Sequence, residues 1–99
     1  IYPQEIENAL VTHPKVLDVA VFGVPDPEMG ESVMAVVQPA AGIAGNAALA
    51  DELRDFARQR LGGVKTPRQF DFRAELPREP TGKLMKRLLA DEYRARTSA

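Results

Sequence analysis

The first residues of the chain place apolar side chains one helical turn apart. Ile6 and Leu10 have this spacing, which is typical of one face of a helix. Pro3 suits a first helical turn, and the early acid Glu5 suits the positive end of the helix dipole. The pattern predicts a short helix that begins at Pro3 and ends near His13.

The next two segments are rich in β-branched residues. Residues 16–24 alternate between two faces, with Leu17, Val19 and Val21 on one and Asp18, Ala20 and Phe22 on the other. Residues 25–30 are dense in turn formers, and an apolar run resumes over residues 33–39. The pattern predicts two strands that pair antiparallel across a turn.

A second helix is predicted after the small-residue loop at 40–45. Asn46 can cap it, and Gly62-Gly63 ends it. Its apolar residues recur at helical spacing: Leu49, Leu53, Phe56 and Ala57. A third strand is predicted over residues 68–73, where Phe70 and Phe72 point to one side and are expected to be core residues.

The last helix is predicted over residues 84–94. Its apolar side is formed by Leu84, Met85, Leu88, Leu89 and Tyr93. The order helix, strand, strand, helix, strand, helix predicts an α+β fold, a small and mainly antiparallel sheet of about three strands covered by about three helices.

The composition is that of one small globular domain. The chain has 99 residues, of which 44% are hydrophobic and 27% charged, and no apolar run approaches the roughly 20 residues of a membrane span. We therefore expect a cytoplasmic protein without a membrane span. A domain of this size is too small to hold a nucleotide fold and two substrate sites, so any complex chemistry must be shared with another domain.

Several residue types restrict the possible chemistry. There is no Cys, which excludes disulfides and thiolate catalysis, and the single His13 cannot form a metal site alone. We predict no metal site in residues 1–99. The chain opens at Ile1-Tyr2-Pro3, with neither an initiator Met nor a leader, so we expect a piece of a longer polypeptide.

Charge is distributed unevenly between the two halves. Residues 1–57 contain two basic and nine acidic side chains, whereas residues 58–99 contain eleven basic and five acidic ones. A basic half can face phosphates, but a solvated surface with scattered arginines gives the same count.

The strongest candidate for chemistry is the loop Pro80-Thr81-Gly82-Lys83. Gly82 lets the backbone approach a ligand closely, and the loop holds the Lys83 ammonium away from the packed surface. A positioned lysine stabilises the charge that grows on a transferring carboxyl or phosphoryl group. The alternative is that Lys83 only solubilises the start of the last helix.

Three motifs in order carry a resemblance to a known family. They are IYPQEIENALVTHPKVLDVAVFGVPDPEMGE, GGVKTP and LPREPTGKL, which together extend along nearly the whole chain. The chain resembles the C-terminal domain of the adenylate-forming superfamily of acyl-CoA synthetases, peptide synthetase adenylation domains and luciferases. Adenylation domains usually have Asn-Gly-Lys followed by Asp-Arg, whereas Thr81-Gly82-Lys83 is followed here by Leu84-Met85-Lys86, which favours a CoA ligase.

The resemblance implies a two-step reaction with ATP and CoA as co-substrates, and with Mg²⁺ bound through an N-terminal large domain. Lys83 would be the catalytic residue of acyl-adenylate formation, with Thr81 and Gly82 beside it. The domain would then rotate for thioester formation, in which Met29, Gly30 and Lys65 would approach CoA. The acid would be a fatty, aromatic or steroid acid.

Relatives often carry an aromatic residue at the positions of Met29 and Val64, so Lys65 is the better candidate for a CoA contact. Gly30 can equally serve a tight turn, and Lys65 can equally be an ordinary exposed charge. Tyr2 would pack against the large domain.

A second hypothesis comes from a different class of protein. The chain could be a free-standing α+β module that uses its basic C-terminal half to bind a nucleotide or a nucleic acid. An open reading frame that extends several hundred residues upstream would favour the ligase, and strongly salt-dependent binding of random RNA would favour the module.

Overall fold

The computed structural model describes residues 3–28 and 30–98, with side chains to residue 96. These ranges form the elements α1 (Pro3–Leu10), β1 (Val16–Asp26), β2 (Gly30–Pro39), α2 (Ala47–Leu61), β3 (Gln69–Phe72) and α3 (Lys86–Ser98). The predicted α+β fold and the predicted order of elements are both confirmed.

The sheet has the strand order β1-β2-β3. β1 and β2 pair antiparallel along their whole length, from Val16 opposite Pro39 to Asp26 opposite Gly30. β3 pairs with β2 in parallel, with Met34 opposite Gln69 and Val37 opposite Phe72. A parallel neighbour needs a crossover connection, and α2 supplies it. The sheet is therefore mixed, with the longer pairing antiparallel as predicted.

Two separate apolar cores lie on the two faces of this sheet. On one face, α1 and α2 pack against alternate strand residues, with Ile6, Leu10, Val19, Val21, Val37, Leu49, Leu53 and Ala57 buried. On the other face, α3 and Leu76 pack against the intervening residues, with Ala20, Phe22, Val24, Met34, Val36, Leu89, Ala90 and Tyr93 buried. Burial on both faces explains why β1 and β2 are apolar at nearly every position.

The predicted faces of β1 are confirmed except at Leu17. The ladder shifts register between Val16 and Asp18, so that Val16 is buried while Leu17 is 60% exposed. An extra residue in one strand moves the alternation by one position, which a strict period of two does not anticipate.

The ends of α2 are those that the sequence predicts. The side chain of Asn46 accepts a hydrogen bond from the backbone N–H of Leu49 at 3.0 Å. Gly62 ends the helix with φ +82°, and its N–H donates to the carbonyl of Arg58 at 3.0 Å. Phe70 and Phe72 are half-buried against the core under this helix, which confirms them as core residues.

α3 begins later than predicted and buries a narrower stripe. It starts at Lys86 because Leu84, two residues earlier, forms a β-bridge with Arg78. Leu89 and Tyr93 face the core, but Leu88 is 57% exposed. The prediction that Leu88 belongs to the buried side is therefore wrong, since the line facing the sheet runs through Leu89, Ala90 and Tyr93.

α1 ends at Leu10 rather than near His13, and a tight turn follows it. His13 is buried there and packs edge-on against Phe56 of α2, with ring centroids 4.8 Å apart. Its Nδ1 accepts from the N–H of Lys15 at 3.1 Å, and its Nε2 lies 2.9 Å from Glu52. The hydrogen bond from the Lys15 ammonium lowers the pKa of Glu52. His13 thus joins the end of α1 to α2.

The outer edge of β1 is closed by side chains. The N–H of Val19 donates to Asp18 Oδ1 at 2.9 Å, and the N–H of Val21 donates to Glu7 Oε2 at 2.7 Å. The Nε of Arg94 donates to the carbonyl of Gly23 at 3.0 Å. Three backbone groups that an exposed edge strand would leave unpaired are therefore satisfied.

Adjacent leucines of α3 offer a matched test of this packing. Leu89→Ala should lower the free energy of unfolding by about 2–5 kcal/mol, because it opens a cavity in the second core. Leu88→Ala should change it by no more than about 0.5 kcal/mol. Denaturant unfolding of the two variants measures both values, and similar losses would contradict the assigned face of α3.

The buried hydroxyl of Tyr93 predicts a pH dependence. Its burial, and then the hydrogen bond that it donates to Asp71, raise the pKa of Tyr93 above its ordinary value. This stabilisation is present below pH about 10 and is lost as the pH rises through the raised pKa. Tyr93→Phe should therefore flatten the alkaline fall in unfolding free energy, and parallel curves for the two proteins would contradict the prediction.

Candidate functional site

The loop that carries Lys83 is closed by its own backbone hydrogen bonds. The N–H of Glu79 donates to the carbonyl of Lys83 at 2.9 Å, and the N–H of Gly82 donates to Glu79 at 2.8 Å. Outside this pair, the β-bridge joins Arg78 to Leu84. Gly82 has φ +93°, a backbone conformation that glycine adopts without steric cost. Residues 78–84 therefore form a small hairpin, which we call the lysine loop.

Lys83 projects from the lysine loop into solvent. Its side chain is exposed, and among the residues that the structure describes its ammonium has no hydrogen-bond or ion-pair partner. It borders a recess between α1, the start of β1 and the loop. An ammonium in this state is available to an anion that another molecule or domain supplies.

The two other cations of this recess are already neutralised. Arg78 forms an ion pair with Asp18 of β1 and donates from Nη1 to the carbonyl of Gly82 at 2.5 Å. Lys86 Nζ lies 2.5 Å from Glu7 Oε2. Lys83 therefore differs from Arg78 and Lys86 because its ammonium has no carboxylate partner among the described residues.

The predicted site residues occupy opposite ends of the sheet. Thr81, Gly82 and Lys83 share the lysine loop, which contacts β1 at Asp18. Gly30 begins β2 opposite Asp26, at the far end of β1, and has φ +78°. Asp26 follows Asp18 by eight residue steps along β1, a distance of roughly 26 Å at about 3.3 Å per residue.

Lys65 lies at the same end of the sheet as Gly30. It belongs to the loop that precedes β3, and Arg68 of that loop donates its N–H to the carbonyl of Val33 near the start of β2. Lys65 Nζ is 3.1 Å from both carboxylate oxygens of Glu5. The structure therefore separates Lys65 and Gly30 from Lys83. Met29 and Tyr2 lie outside the described residues.

The basic side chains of the second half do not form an open patch. Most of those described face carboxylates, in the pairs Arg58 with Asp55, Lys65 with Glu5, Arg73 with Glu92, Arg78 with Asp18, Lys86 with Glu7, Arg94 with Asp91, and Arg96 with Glu92. This pairing leaves less of the unbalanced positive charge that a nucleic-acid surface needs.

Metal ligation and membrane spanning find no support in the described ranges. Residues 3–28 and 30–98 contain no group of three or more His, Asp or Glu side chains that could hold a metal ion. Within the same ranges no helix has the length and hydropathy to span a membrane.

Sequence reasoning missed the ion pair of Arg78 with Asp18 beside Lys83. Arg78 stands inside the LPREPTGKL motif, and Asp18 is the single acid in the otherwise apolar residues 16–25. The second feature was the available signal, because a lone carboxylate in such a strand needs a partner.

The sequence of this chain matches a known protein family. The family model described as the AMP-binding enzyme C-terminal domain matches residues 5–83. The chain belongs to this family.

Relatives of this AMP-binding enzyme C-terminal domain include CoA ligases. The long-chain-fatty-acid–CoA ligase of Bacillus subtilis is 41% identical over 92 residues, which are 93% of this chain and 16% of that enzyme. A medium/long-chain-fatty-acid and 3-oxocholest-4-en-26-oate CoA ligase of Mycobacterium tuberculosis is 43% identical over 96 residues, 97% of this chain and 17% of its own.

A solved structure agrees with the fold. An acyl-CoA synthetase from Brucella canis superposes with a TM-score of 0.91 at 42% identity, covering 98% of this chain and 18% of that one. The predicted family is therefore confirmed, and this AMP-binding enzyme C-terminal domain spans less than a fifth of the length of these relatives.

Two glycines test the conformation of the lysine loop. A Cβ at Gly82 would meet no atom within 4 Å, so Gly82→Ala adds only backbone strain. We expect a loss of unfolding free energy of about 1–3 kcal/mol. Gly63→Ala is the matched control, since that glycine is equally uncrowded without a positive φ, and it should change stability by no more than about 0.5 kcal/mol. Equal effects in denaturant unfolding would contradict the loop conformation.

Proposed function

We propose that residues 1–99 are the mobile C-terminal domain of an ATP-dependent acyl-CoA synthetase, and that Lys83 is its catalytic residue in acyl-adenylate formation. The observation that carries this proposal is the exposed ammonium of Lys83 on a closed loop, which has no carboxylate partner among the described residues. The chain that presents it belongs to the AMP-binding enzyme C-terminal domain family.

The proposed first step joins two anions. An oxygen of the substrate carboxylate forms a bond to the α-phosphorus of ATP, and the bond from that phosphorus to the pyrophosphate oxygen breaks, with pyrophosphate taking the electron pair. Negative charge gathers on the α-phosphate and carboxyl oxygens. The Lys83 ammonium would stabilise that charge, while Thr81 and Gly82 would let the backbone come close to it.

The proposed second step uses the other end of the domain. The sulfur of the CoA thiol forms a bond to the acyl carbon, the bond from that carbon to AMP breaks with AMP taking the electron pair, and the thiol proton is released to solvent. Lys65 would contact CoA phosphates near Gly30 and Met29. Because Lys83 and the Gly30 turn lie roughly 26 Å apart along β1, one rigid domain cannot present both ends to the same reacting group. The domain must therefore rotate between the steps, as a lid does.

The large domain of the same polypeptide would supply the rest of the site. It would hold ATP, the acyl pocket and Mg²⁺, because the described residues offer no metal cluster. Two relatives are named for acids with a large apolar part, within the predicted fatty, aromatic or steroid acids. Two others of similar identity are named a sulfoacetate–CoA ligase and an acetyl-coenzyme A synthetase, so the class of acid rests on the large domain. A cytoplasmic location stays part of the proposal.

Lys83→Ala in the parent enzyme tests the catalytic role. Acid-dependent exchange of pyrophosphate into ATP should fall roughly a hundred- to a thousand-fold, because one preorganised charge contact is lost. Thioester formation from a preformed acyl-adenylate should change far less. Lys65→Ala should show the reverse pattern, slowing the thioester step and sparing exchange.

Arg87→Ala is the control, since Arg87 is another exposed cation near the start of α3, and both reactions should stay near their normal rates. If Lys83→Ala retains near-full pyrophosphate exchange, Lys83 has no part in adenylate formation.

A further inference from the structure

We propose that Arg78, anchored by Asp18, is a positioning residue that fixes the direction in which Lys83 leaves the lysine loop. This inference rests on the proposed function of Lys83. It assigns a role to an ion pair between residues that lie far apart in the chain.

The guanidinium of Arg78 joins β1 to the tip of the lysine loop. Its Nε donates to Asp18 Oδ2 at 3.0 Å, and its Nη2 contacts the same oxygen. Its Nη1 donates to the carbonyl of Gly82 at 2.5 Å. Because the guanidinium is planar, these contacts fix the position of the Gly82 carbonyl relative to the strand.

The Gly82 carbonyl belongs to the peptide unit that ends at the Cα of Lys83. A peptide unit is planar, so an anchored carbonyl oxygen fixes the orientation of the whole unit and restrains where the Lys83 side chain begins. Gly82 itself lies at φ +93° and contributes no side chain that could restrain the turn. The contact from Arg78 supplies that restraint.

Asp18 is a firm anchor for this contact. Its side chain is only 18% exposed, and its second oxygen, Oδ1, accepts the N–H of Val19 at 2.9 Å. It follows directly on the register shift at the start of β1, and such shifts redirect side chains. The carboxylate also offsets the charge of Arg78, which otherwise would attract the same anions and compete with Lys83 for them.

Remaining contacts of the loop tip are internal. The hydrogen bonds of Glu79 with Lys83 and Gly82 close the loop but do not attach it to the sheet, and residues 79–83 are exposed. A partly exposed ion pair contributes little to stability. Loss of Arg78 should therefore affect the geometry of Lys83 much more than the folding of the domain.

Arg78→Ala in the parent enzyme tests the proposal. Acid-dependent pyrophosphate exchange should fall roughly ten- to a hundred-fold, because a displaced catalytic group loses rate steeply with distance. Thioester formation from a preformed acyl-adenylate should stay within about threefold, and the midpoint of thermal unfolding should hardly move. Arg78→Lys keeps the charge but lacks the planar guanidinium that donates to two acceptors at once. Its exchange rate should therefore lie between those of the wild type and Arg78→Ala.

Two further variants separate positioning from a general ion-pair effect. Asp18→Asn turns an amide donor toward the guanidinium, so it should slow exchange in the same direction as Arg78→Ala. Arg73→Ala is the matched control, because it removes another long-range ion pair, from Arg73 to Glu92, away from the lysine loop. It should leave both half-reactions near normal.

The decisive measurement is a double-mutant cycle with Lys83→Ala. If Arg78 acts only through Lys83, then adding Arg78→Ala to Lys83→Ala should slow exchange by no more than about threefold further. If the double variant slows exchange by the product of the two single-variant effects, the proposal is overturned. It is also overturned, in favour of a structural role, if Arg78→Ala slows the thioester step as much as it slows exchange.

Lys83→Ala alone decides the proposed function. If that variant slows exchange while Arg78→Ala does not, only the positioning role is overturned. If Lys83→Ala has no effect, both proposals are overturned.

Discussion

Burial of the β1–β2 pair on both faces is the constraint on which the structure depends. α1 and α2 cover one face and α3 covers the other, so most side chains in the middle of β1 and β2 are used for packing. Polar and charged groups that could do chemistry are consequently rare in the middle of these two strands. They are left to the loops at the two ends of the strands, where the backbone is accessible.

This arrangement gives the small domain two chemically different ends. The parallel return of β3 beside β2 places the loop before β3 at the Gly30 end and the segment after β3 at the Asp18 end. The Asp18 end presents the ammonium of Lys83, which has no carboxylate partner among the described residues. The Gly30 end presents Lys65 beside Glu5. A cation already paired with a carboxylate must exchange partners to bind a phosphate, whereas Lys83 need not.

Most of the fold could be predicted because it depends on local patterns. The Asn46 cap, the Gly62 stop and the alternation at Val19 to Phe22 each follow from neighbouring residues. The face predicted for Leu17 was wrong because a register shift is a property of two paired strands and not of one strand's sequence. The prediction that Leu88 is buried was wrong because helix periodicity does not reveal how wide a face of α3 the sheet covers.

The candidate site was predictable only in part. The lysine loop could be identified from its own sequence and from the family resemblance. The contact between Asp18 and Arg78 could not, because it joins residues 60 positions apart and depends on how the sheet brings them together. The pairing of Lys86 with Glu7, which makes Lys83 distinct, has the same origin.

The closed edge of β1 has a consequence for self-association. Consecutive outward groups at Val19, Val21 and Gly23 are engaged by Asp18, Glu7 and Arg94, so an extended peptide cannot add to the sheet there without displacing them. An edge strand with these groups unpaired would present a template for intermolecular strand pairing. The three side chains thus protect this edge of the sheet against aggregation.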